Sequence, residues 1–100
     1  MNVRPLDKLL IEAACKYYDI EQSFFRIKKK DGNTPRRRVL FWLLANDACM
    51  DYSTIAREFG YSRMSICDGV KTIDFQKGMI NTIARDIDNI RKIADCEQKG

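Results

Sequence analysis

The sequence predicts an all-α domain of about five helices around a central helix-turn-helix. Apolar residues recur at three- and four-residue spacings in separate stretches along the chain. Five glycines and two prolines in 100 residues leave little room for the many turns of an all-β fold. The third observation is the stretch DYSTIAREFGYSRMSICDGVKTI from Asp51 to Ile73, two short apolar stripes separated by a glycine.

The elements follow in order. Pro5 opens a first helix, with Leu6, Leu9, Leu10, Ala13, Ala14 and Tyr17 on one face and an end near Tyr18 or Asp19. Residues 20–27 (IEQSFFRI) hold one short helical turn, with Phe24 or Phe25 pinned to the core; stacking of these rings on bases is the rarer use of such a pair. KKKDGN, residues 28–33, is an exposed basic loop with its turn at Asp31-Gly32. Thr34 and Pro35 then read as N-cap and first residue of a second helix. Val39, Leu40, Leu43 and Leu44 face inward there, and Phe41 and Trp42 widen the apolar face, so this is the central core helix.

Asp51 caps the next helix, whose inward stripe is Ile55, Ala56 and Phe59. Gly60 sits where the chain must turn, with Tyr61 tucking back into the junction. A fourth helix begins near Ser62 with Ile66, Val70 and Ile73 inward, and Gly78 marks its end. Ala56 and Gly69 are small where two steeply crossing helices would collide. The helix-turn-helix spans residues 51–76. The last helix, residues 81–96 with Asn81 as cap, carries Ile83, Ile87, Ile90 and Ile93 on one face. That stripe closes the domain's own core or, packed elsewhere, forms a homodimer seam. The tail from Glu97 frays.

Composition bounds the function. At 45% hydrophobic and 32% charged, residues 1–100 form one globular domain. No run of eighteen apolar residues spans a membrane, and the first residues lack a signal's apolar stretch, so a cytoplasmic location is expected. Cys15, Cys49, Cys67 and Cys96 are widely spaced and histidine is absent, which excludes the usual zinc spacings. They are expected to stay reduced, with Cys15 and Cys49 as small buried residues in helical apolar segments. Without a histidine, a phosphate-binding glycine loop or a nucleophile with a base at recognisable spacing, no catalysis is expected. Nor is any cofactor, metal or small-molecule ligand expected.

The charge is local. Residues 26–38 contain Arg26, Lys28, Lys29, Lys30, Arg36, Arg37 and Arg38 against Asp31 alone, a surplus of +6 in a chain whose net charge is +4. Arg36, Arg37 and Arg38 occupy a helix's first turn, where the macrodipole disfavours each cation by a few tenths to ~1 kcal/mol. A polyanion footprint on phosphates or in the minor groove accounts for them better than stability does. On the fourth helix the outward residues are Ser62, Arg63, Met64, Ser65, Cys67, Asp68 and Lys71. The first turn of such a helix enters the major groove. The expected contacts are Arg63 with guanine, Ser62 or Ser65 with a base edge or phosphate, Met64 or Cys67 with a thymine methyl, and Asp68 with a cytosine amine, although near phosphates Asp68 repels; the alternative is a solvated face with Asp68 and Lys71 as neighbours.

This order of parts resembles the C-terminal DNA-binding domain of the bacterial replication initiator DnaA, related in fold to Trp repressor. The resemblance runs from Leu6 to Ile90 through LLIEAACKYYDI, EQSFFRI, KKKDGNTPRRR, RRVLFWLLA and DYSTIAREFG, with Ile55, Phe59 and Gly60 as the family has them. It implies that Lys28 to Lys30 and Arg36 to Arg38 contact the minor groove while Arg63 to Lys71 read the adjacent major groove. The family's Gly-Arg-Asp-His-Thr/Ser-Thr run is replaced by YSRMSIC, and no ATPase motif is present. The implication is therefore duplex binding on the same architecture, without the initiation activity.

The expected function is sequence-specific binding of double-stranded DNA by a small transcriptional or replication regulator. The alternatives are an interaction adaptor reusing the fold through Ile83 to Ile93 or the Phe24-Phe25 region, and a DNA-packaging or replication accessory of a mobile element.

Overall fold

Leu9, Leu10, Ala13 and Ala14 fall on one face at helical spacing, and Pro5 holds the extended backbone from which their helix, α1 (Leu6–Tyr18), starts. The computed structural model describes residues 5–26 and 34–99. Among these it contains five α-helices, one 3-10 turn (Gln22–Arg26) and no strand, the all-α class the spacing predicts. After α1, Asp19 adopts the left-handed conformation (φ 57°) that an Asx side chain tolerates, and the Ile20 N–H returns to the Cys15 carbonyl at 3.0 Å. The 3-10 turn drives Phe25 fully into the core, edge-on to Phe24 and to Phe59.

α2 (Thr34–Asn46) starts at Thr34 itself and buries Val39 to Leu44 without a break. A helix covered on so many sides is the central one; α4 packs on it most extensively, with α1, α3 and α5 around it. Beyond Asn46 the expectation for Cys49 fails. It lies outside any helix, exposed, with a left-handed φ of 57°, because the chain must reverse there to bring Asp51 to the start of α3 (Tyr52–Phe59). Cys15 is only half-buried, and all four cysteines are free.

α5 (Asn81–Lys99) runs three residues past the end expected at 96. Ile83, Ile87, Ile90 and Ala94 are buried, and α5 packs chiefly along α1. The Asp86 carboxylate accepts from the Tyr17 and Tyr18 hydroxyls at 2.8 and 2.9 Å and fixes that register. The isoleucine face required for a homodimer seam, and for an adaptor surface at Ile83 to Ile93, is thus already covered within the chain. Among the described residues no helix is long and apolar enough to cross a membrane.

Candidate nucleic-acid interface

α3 and α4 (Arg63–Gln76) are joined by Gly60, Tyr61 and Ser62 alone. Gly60 takes φ 74° and hands its N–H to the Ala56 carbonyl, closing α3. A Cβ there would meet nothing within 4 Å, so backbone conformation, not space, requires the glycine. Tyr61 folds back edge-on to Phe41 with ring centroids 5.2 Å apart. Both helix starts are capped by side chains. Asp51 accepts from the Thr54 N–H at 3.0 Å, which holds its carboxyl below the usual carboxylate range. Ser62 accepts from the Ser65 N–H at 3.1 Å and donates to the Ser65 hydroxyl at 2.9 Å. The Ser65 proton is then what this turn can offer outward.

With Ile66, Val70 and Ile73 buried, α4 presents the other side to solvent. Ser62, Arg63, Met64, Ser65, Asp68 and Lys71 are exposed, Met64 at 68%, and Cys67 is half-exposed. Met64, Asp68, Lys71 and Phe75 repeat at four, three and four residues and share one stripe of that face. Phe75 is 69% exposed, and Met79 and Ile80 beside it are exposed as well. α4 ends at Gln76, two residues before Gly78.

The basic triplet divides three ways. Arg36 is exposed, its guanidinium 5.3 Å from the Tyr18 ring centroid. Arg37 is 3% exposed, so its assignment to the DNA-facing set is corrected. Its Nε donates to the Phe24 carbonyl at 3.2 Å and its guanidinium stacks 4.9 Å over the Phe24 ring, fastening the 3-10 turn to α2. Arg38 is half-buried and runs its aliphatic stem over Gly69 of α4. That contact also revises the role of Gly69, whose missing side chain makes room for α2 rather than α3. Arg26 is spent internally too: Nη1 donates to the Glu58 carbonyl and the guanidinium lies 5.7 Å from the Phe59 ring centroid. Lys28, Lys29 and Lys30 lie outside the described residues.

One constellation escaped the sequence reading. Trp42 of α2 donates from Nε1 to Asp74 at 3.3 Å, and its ring centroid lies 5.8 Å from the Lys77 ammonium and 5.3 Å from the Arg91 guanidinium. Arg91 in turn donates twice to Asp47, both at 2.8 Å. Burial raises the Asp47 carboxyl, but the bonds from Arg91 and Asn46 outweigh it and hold the group below its ordinary value. These contacts join α2, α4 and α5 through residues far apart in sequence.

The chain is 28% identical over 86 residues to the chromosomal replication initiator protein DnaA of Caldanaerobacter subterraneus subsp. tengcongensis. The alignment covers 85% of this chain and 19% of that protein, so the chain spans about a fifth of the relative it matches. Its likeness is to one part of DnaA. No family model and no solved structure matches.

Proposed function

We propose that this chain binds double-stranded DNA sequence-specifically as a small transcriptional or replication regulator. α3 and α4 act as a helix-turn-helix with the first turn of α4 in the major groove, and the basic turn of α2 grips phosphates or the minor groove. The observation that carries this reading is the placement of Arg38 against α4. It brings one cation of the basic segment onto the helix whose exposed first turn offers Arg63, Met64 and Ser65. Similarity to part of a chromosomal replication initiator supports the same reading. The assignments follow from chemistry: Arg63 donates bidentately to guanine, Ser65 to a base edge or phosphate, and Met64 contacts a thymine methyl. Arg36 and Arg38 neutralise phosphates.

Substitution separates the two tasks. Arg36→Ala should weaken binding equally on all duplexes and lower the slope of log affinity against log salt by about 0.9. Arg63→Ala should instead flatten preference at one base position, costing about 1–3 kcal/mol there. Equal effects of both on every duplex would contradict a reading helix. A second reading, an interaction adaptor, draws on the exposed Phe75, Met79 and Ile80. An adaptor would bind no duplex at low salt and would be indifferent to Arg36→Ala.

A further inference from the structure

Gly69 lies on the buried side of α4, in mid-helix, where glycine costs stability relative to alanine. Its φ is not left-handed, so the backbone does not demand it. A Cβ at Gly69 would meet first the Arg38 side chain: Cγ at 3.1 Å, Cδ at 3.7 Å and Cβ at 3.8 Å. The closest approach is tighter than side chains ordinarily tolerate, and the group in the way is a flexible arginine stem rather than a backbone. The glycine is thus a groove shaped for one side chain.

Ser65 and Gly69 are four residues apart and share a face of α4, and Ser62 caps the same end. Gly69 is about 9 Å along the axis from Arg63. We infer that Gly69 is a positioning residue for DNA binding, acting through Arg38: it seats the stem so that the guanidinium is held beside the Ser62–Ser65 turn, at a fixed offset from the base-reading side chains. The inference rests on the DNA-binding reading and adds to it a mechanical link between backbone grip and base reading. Arg38 reaches a phosphate flanking the bases that α4 contacts, and its aim depends on a residue that itself touches no DNA.

The test compares wild type, Gly69→Ala, Arg38→Ala and the double variant on a duplex that wild type retains, at several salt concentrations, alongside thermal melting. Gly69→Ala should melt no lower than wild type, because alanine favours the helix and only the arginine must move. It should nevertheless bind more weakly by about tenfold or more, the worth of one charged hydrogen bond. Its salt slope should shift toward that of Arg38→Ala, and in the Arg38→Ala background it should cost nothing further. Wild-type affinity and slope in Gly69→Ala would overturn the inference, as would losses that multiply in the double variant. A fall in melting temperature in step with the loss of binding would also overturn it, assigning Gly69 to packing alone. Failure of the wild type to bind any duplex at low salt would instead overturn the underlying DNA reading, and this inference with it.

Discussion

Arg37 shows how one residue among three identical neighbours takes a different task. Successive side chains on a helix point about 100° apart, and Arg37 shares the face of Leu40 and Leu44, three and seven residues on, both fully buried. Its charge is tolerated in the core because the Phe24 carbonyl accepts from Nε and the Phe24 ring faces the guanidinium. Arg37→Ala should cost about 1–3 kcal/mol in urea unfolding, the cost of unmaking a buried hydrogen bond to a charged group. The salt slope of DNA binding should stay at the wild-type value, whereas Arg36→Ala lowers it; a lowered slope in Arg37→Ala would return the residue to the phosphate-contacting set. The phase that buries Arg37 was present in the sequence, in the leucines that follow it. Its cluster of like charges drew attention to the surface instead. Cys49 was misplaced for a different reason: the reversal between α2 and α3 is set by where α3 must pack, and no local pattern announces it. The seat of Arg38 on Gly69 is likewise a contact between residues 31 apart, and only the fold joins them.

At the scale of elements, the junctions do most to decide the fold. Gly60 is required for its backbone conformation alone, so Gly60→Ala should lower stability by about 1 kcal/mol, with Gly60→Asn intermediate in the same denaturation series. An alanine variant as stable as wild type would show that the turn relaxes to a negative φ. This glycine and the caps Asp51 and Ser62 were legible in the sequence because caps and turns depend on a few adjacent residues. The link between α2 and α5 was not, since Asp47 and Arg91 lie 44 residues apart. It has a pH signature. The Asp47 carboxyl is depressed in the folded protein, so the stability it supplies is present above the unfolded carboxylate value of about 3.9 and is lost as pH falls through the folded value. Arg91→Met should remove that part of the acid limb and lower stability at neutral pH by about 1 kcal/mol, because the pair is partly exposed. Trp42 is the only tryptophan and touches Arg91, so its fluorescence follows both transitions. An unchanged acid limb would assign the pH dependence to other carboxylates.

For the whole molecule, α2 is the helix on which the others pack, and in the proposed reading it joins the basic segment to α4. The helical stripes were visible in the sequence because burial imposes a period, and the all-α class followed from them. Which side chains of α2 and α4 come together depends on how the two helices cross, and that the period does not carry. The isoleucine stripe of α5 looked equally suited to a core and to a seam until its packing on α1 was in view. The central claim is that α4 reads bases while the basic turn of α2 holds the backbone. The most direct measurement is selection of bound duplexes from a randomised library at near-physiological salt. An enriched motif is expected, degraded at one position by Arg63→Ala and left intact at lower affinity by Arg36→Ala. No enrichment, with no retention of DNA even at low salt, would contradict it.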